Sequence, residues 1–113
     1  MSRQAEAITV TLPPDIGPIL GGLAGETPGQ KITYLLGRDL VRCLEECKRE
    51  LMELEIKYGM EYDDFQEKLS VGDLGCEFGY ELEIDAMRWD DLVQEKRHWL
   101  QQLNLLKGLG LWR

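Results

Sequence analysis

From Leu44 the apolar residues fall at Leu44, Cys47, Leu51, Leu54 and Tyr58, spaced alternately by three and four. That alternation is the seam of a coiled coil, because it keeps one narrow stripe of a helix turned toward a neighbouring helix. The seam ends at Gly59, a good residue for the position just past a helix. Upstream, Ile32, Leu35, Leu36, Leu40 and Cys43 carry the apolar pattern back to Gln30. Thr27 then supplies an N-cap and Pro28 a first-turn proline. Gly37 predicts a bend where a short helix passes into the longer one.

The other segments are shorter. Ile8-Thr9-Val10-Thr11-Leu12 alternates with a period of two, which predicts a half-buried strand, and Pro13-Pro14 ends it. Ile16, Ile19, Leu20 and Leu23 mark one face of a short helix weakened by Gly17, Pro18, Gly21 and Gly22. Tyr62 to Leu69 reads as a further helix, with Asp63 and Asp64 suited to its positive N-terminal end. Gly72 to Gly79 reads as a loop. A last helix spans roughly Glu81 to Lys107, with a stripe of Ile84, Met87, Leu92, Trp99, Leu100, Leu103 and Leu106. One strand leaves its backbone groups without a partner, so the strand implies a second copy of the chain and a homodimer.

Charge divides the sequence. In 113 residues, 13 Lys and Arg stand against 21 Asp and Glu, a net charge of −8. Residues 1–34 are near neutral, whereas 61–95 hold twelve acids against Lys68 and Arg88. Such a chain is repelled by phosphate backbones and suited to basic partners. The apolar stretches are too short for a membrane span. Three cysteines without a signal-peptide pattern read as reduced thiols, which predicts a cytoplasmic protein.

The order strand, Leu12-Pro13, short helix, polar turn Thr27-Pro28-Gly29-Gln30-Lys31, and helix through Leu35-Leu36 resembles the ribbon-helix-helix DNA-binding fold. The resemblance covers roughly residues 6–45. It implies a fold that is mainly α with one N-terminal β-strand, two copies pairing into a two-stranded ribbon that enters the DNA major groove. Ala7, Thr9 and Thr11 would then face bases, and Thr27, Gly29, Gln30 and Lys31 would sit at phosphate. Two threonines and an alanine release few counterions, so operator DNA would be bound weakly by this protein alone.

Residues 46–113 form the second unit, an acidic helical arm. The run Lys57-Tyr58-Gly59-Met60-Glu61-Tyr62-Asp63-Asp64-Phe65, then Gly72-Asp73-Leu74-Gly75 and Trp89-Asp90-Asp91-Leu92, is similar to the C-terminal part of small prokaryotic antitoxin-like proteins. Together with the head, it resembles a type II antitoxin, whose arm neutralises a cognate, basic toxin and whose head autoregulates the operon. The implied partner contacts are the acids Asp63, Asp64, Asp73 and Asp90 and the aromatic anchors Tyr62, Phe65, Phe78, Tyr80, Trp89, Trp99 and Trp112. A dimeric protein-interaction adaptor that never touches DNA is the alternative.

Enzymatic chemistry finds little support. Cys43 and Cys47 share a helix face, but Cys76 and His98 do not complete a recognisable zinc spacing. A twelve-residue loop counted from Asp73 lacks the glycine and final Glu of an EF-hand. No phosphate loop is present, and His98 is the chain's single histidine. No cofactor and no catalytic residue are expected.

Overall fold

A computed structural model of the chain describes residues 8–74 and 79–108. A 3-10 turn at Pro14–Ile16 leads into a one-turn helix α1 (Gly17–Leu20). Three helices follow: α2 (Pro28–Tyr58), α3 (Tyr62–Ser70) and α4 (Glu81–Gly108). No β-strand occurs among the described residues, which overturns the expected N-terminal strand and its two-stranded ribbon. Ile8 to Leu12 have no regular secondary structure, and Ile8 and Val10 are 90% and 64% exposed. The physical reason is the absence of a ladder. Alternation signals a side-chain pattern suited to a sheet, but the described residues offer no second strand, and Pro13 and Pro14 donate no hydrogen bonds.

At a rise of about 1.5 Å per residue, the 31 residues of α2 make a rod about 46 Å long. Its start is fixed by Thr27, whose Oγ1 accepts from the Gln30 backbone N–H at 3.1 Å. The Gln30 side chain reaches back past the cap to accept from the Glu26 N–H at 2.8 Å, which ties the preceding turn to the helix. The helix ends at Gly59, with φ +68°, where the Gly59 N–H donates to the Glu55 carbonyl at 2.7 Å. An L-residue would be strained there. The expected passage from a short helix into a longer one at Gly37 is not found: α2 runs unbroken through it, and Gly37 is buried.

α4 returns antiparallel to α2. Lys57 pairs with Glu81 and Asp85, Glu50 with Arg88, and the Cys47 thiol donates to the Leu92 carbonyl at 3.4 Å, so α4 numbers rise as α2 numbers fall. All five seam residues of α2 from Leu44 to Tyr58 are buried. The α4 seam runs through Leu82, Asp85, Trp89, Leu92, Lys96, Trp99 and Leu103, each buried or half-buried. Ile84 and Met87, read from the sequence as part of the inward stripe, are instead 51% and 71% exposed. The radius of gyration of 20.3 Å, against about 13 Å for a compact domain of this length, reflects this extended hairpin.

α3 folds across the hairpin at its closed end and inserts Phe65. Phe65 and Trp89 are both 0% exposed, with ring centroids 4.5 Å apart. Tyr58 meets Phe65 edge-on at 5.0 Å, and Tyr58 and Tyr62 lie 5.9 and 6.0 Å from Trp89. Each such pair adds about 0.5–1.5 kcal/mol beyond the area it buries. Met60, Leu69, Leu74, Leu82 and Ala86 pack around this cluster. One cost is visible: the Trp89 indole N–H is buried with no acceptor, a penalty of about 1–3 kcal/mol.

This packing separates two large-to-small changes sharply. Phe65→Ala should lower the unfolding free energy by about 3–5 kcal/mol in urea denaturation, through lost burial and a residual cavity. Met87→Ala should change it by no more than about 0.5 kcal/mol. Equal effects from the two would show that α4 is turned the other way.

Candidate functional site

The described acids around the closed end of the hairpin fall into two populations. One is consumed in holding the hairpin together. Lys57 Nζ donates to Glu81 Oε2 at 2.7 Å and to Asp85 Oδ2 at 2.6 Å. Tyr58 OH also donates to Asp85 Oδ2, at 2.6 Å. Arg88 bridges Glu50 at 2.8 Å and Glu95 at 3.1 Å. Burial pushes the Asp85 carboxyl up, but hydrogen bonds from Lys57 and Tyr58 outweigh it and hold the group below its ordinary range. Burial, and then donation to Asp85, raise the Tyr58 phenol to about 12.

The second population engages no cation. Asp63, Asp64 and Glu67 on α3, Asp73 after it, and Glu83 and Asp91 on α4 have no side-chain partner among the described residues, and all are exposed. Asp63 and Asp64 are neighbours in the first turn of α3 and Glu67 follows one turn later, on a helix that Phe65 pins to the hairpin. Tyr62 OH donates to Asp90 Oδ1 at 2.6 Å, which fixes the head of α3 against α4. Chiefly through that bond, the Tyr62 phenol is raised from its ordinary value. The structure thus presents free carboxylates on a helix packed against the hairpin.

The residues expected to meet a partner divide accordingly. Asp63, Asp64 and Asp73 are exposed on or just after α3, and Tyr80, at 78% exposure, stands immediately before α4. Asp90 is engaged by Tyr62 and by Gln94 Nε2 at 3.1 Å. Phe65 and Trp89 are enclosed, so they build the face rather than form it. Trp99 is half-buried, with its ring edge-on to His98 at 4.7 Å. Phe78 and Trp112 lie outside the described residues.

The residues expected at DNA are not assembled on a ribbon. Thr9 and Thr11 are exposed in the irregular leading segment, and Ala7 lies outside the described residues. Thr27, Gly29, Gln30 and Lys31 do meet at the start of α2, but their polar groups are used within the chain. Thr27 Oγ1 caps the Gln30 N–H, the Gln30 side chain accepts from the Glu26 N–H, the Gly29 carbonyl accepts from Thr33 Oγ1 at 2.9 Å, and Lys31 Nζ donates to the Leu23 carbonyl at 2.7 Å.

Sequence reading missed Asp85, whose place on the α4 seam three residues after Leu82 was the available signal. Cys43 is partly exposed, with its thiol 4.0 Å from Asp39 Oδ2, and Cys47 is buried, its thiol pushed up by burial. Among the described residues no group of three or more His, Cys, Asp or Glu is placed to hold a metal ion. Nor is any helix there long and apolar enough to cross a membrane.

Geometry therefore defines an antiparallel helical hairpin carrying a short, acid-bearing cross-helix. In comparisons with known proteins, no family model, curated protein or solved structure matches the chain.

The Asp85 anchor makes stability depend on pH in a definite direction. A depressed carboxyl contributes stability above its ordinary range and loses it as the pH falls through the folded value. The raised Tyr58 contributes stability fully present below about pH 10 and lost as the pH rises toward 12. Urea midpoints should therefore decline below about pH 5 and again above about pH 10. Asp85→Asn should lower the plateau between them and flatten the acid decline. An acid decline in Asp85→Asn as steep as that of the native chain would contradict the anchor.

Proposed function

We propose that this chain is a protein-binding antitoxin that acts in the cytoplasm, capturing a basic toxin on the acidic face of α3 and the adjoining part of α4. The observation that carries the reading is the division of carboxylates. Glu50, Glu81, Asp85 and Glu95 are neutralised by Lys57 and Arg88, while Asp63, Asp64, Glu67, Asp73 and Asp91 are displayed without cations. Leaving like charges side by side on a nine-residue helix destabilises it. A basic partner relieves that repulsion and is drawn in at long range by the field of the whole −8 chain.

The run that resembles antitoxin-like proteins falls on the framework that presents these acids. Tyr58, Gly59, Tyr62, Phe65 and Trp89 are the residues that stop α2, turn the chain and clamp α3 onto the hairpin. The motif is thus a recipe for presenting the acids between its fixed points. A toxin that cleaves RNA carries a basic site shaped for phosphates, and a rigid row of carboxylates occludes it by mimicking that charge. DNA recognition forms no part of this proposal. A protein-interaction adaptor with the same acidic face is the second reading, favoured by the same free carboxylates.

Growth assays separate the two. The small open reading frame beside this one should arrest growth when expressed alone, and co-expression of this chain should restore it. Asp64→Lys with Glu67→Lys and Asp73→Lys should abolish rescue without loss of helicity by circular dichroism, since all three side chains are exposed. Absence of toxicity, or rescue undiminished in the triple variant, would remove the antitoxin reading in favour of the adaptor.

A further inference from the structure

A groove of about 330 Å³ lies beside the hairpin seam where α3 begins, separate from the outer acidic row of Asp64 and Glu67. Leu51, Val93 and Leu100 give it an apolar floor, and Trp89 lies at its base. Its charges are segregated by element. Glu55 comes from α2, and Glu61 and Asp63 come from the head of α3, whereas both cations, Lys96 and Arg97, come from α4. No ion pair joins any of these five residues to another described residue. Lys96 and Arg97 are thus adjacent cations without an ion pair among the described residues, set beside an apolar strip and across from three carboxylates.

We infer that this groove is a homodimer interface, in which two copies pack about a two-fold axis with the α2–α3 carboxylates of each facing the α4 cations of the other. The charge pattern selects this occupant. A uniformly basic surface is opposed by Lys96 and Arg97, and a uniformly acidic one by Glu55, Glu61 and Asp63. A second copy presents both signs in the reversed order that a two-fold axis requires, because in such an interface each contact occurs twice. The same operation lays Val93 and Leu100 on their own copies, burying apolar surface that one chain leaves partly open. The pairing needs no β-structure and leaves Asp64, Glu67 and Asp73 free.

Charge exchange tests the interface on the full-length chain. Sedimentation velocity at micromolar concentrations should show the native protein as a dimer. Lys96→Glu with Arg97→Glu, and separately Glu55→Lys with Glu61→Lys, should each weaken dimerisation at least about tenfold, since the first turns every cross-groove attraction into repulsion and the second turns all but that of Asp63. Mixing the two variants should restore a dimer containing one of each, because opposite signs then face across both halves of the interface. Circular dichroism checks that each variant keeps its helicity. A monomeric native protein, variants that dimerise like the native chain, or a mixture that stays monomeric would each overturn the proposal.

Discussion

Everything in this chain hangs on Trp89. A hairpin of two long helices needs only a seam, but a nine-residue third helix is far too short to be stable in water by its own hydrogen bonds. α3 exists because Phe65 stacks within 4.5 Å of the Trp89 ring while Tyr58 closes on both, a cluster drawn from three helices. The orphaned indole N–H is accepted as part of that arrangement, offset by the surface the ring buries. Removing the cluster would leave the seam but release α3, and with it the acidic face.

Electrostatics then divides labour along the molecule. Around Lys57 and Arg88 the carboxylates are structural, pinning the register of α2 against α4 at the closed end of the hairpin. Exposed pairs of this kind contribute little each, but Asp85 is half-buried and also accepts from Tyr58, so the network is tied directly to the aromatic cluster. Beyond it, the acids of α3 have nothing to neutralise them. Their placement on a supported helix turns a diffuse negative composition into a defined surface.

Much of the architecture was legible because helical seams are written in spacing alone. Leu44, Cys47, Leu51, Leu54 and Tyr58 show no polar interruption, and Thr27, Pro28 and Gly59 mark the ends of α2 through local backbone chemistry. The α4 seam was harder to read because Asp85 and Lys96 occupy inward positions, while Ile84 and Met87 supply apolar character on the outside. Counting apolar residues therefore pulled the stripe one face away and placed Trp89 among surface anchors. The strand at Ile8 to Leu12 failed for a different reason. Alternation reports what a segment is suited to, whereas a sheet also requires a partner, and that information is not local. The acidic site was legible as a composition, but which carboxylates stay free depends on the reach of Lys57 and Arg88 across the hairpin.

The claim on which this account rests is that α3 is docked and rigid before any partner arrives. Amide hydrogen exchange of the free, full-length protein measures this directly. The account predicts that the amides of Gln66 to Ser70 exchange nearly as slowly as those of Leu51 and Leu54 on the α2 seam, because all are released by the same cooperative unfolding. Exchange of the α3 amides at rates close to those of an unstructured peptide, while the seam stays protected, would contradict it and make the acidic face a product of binding instead of its cause.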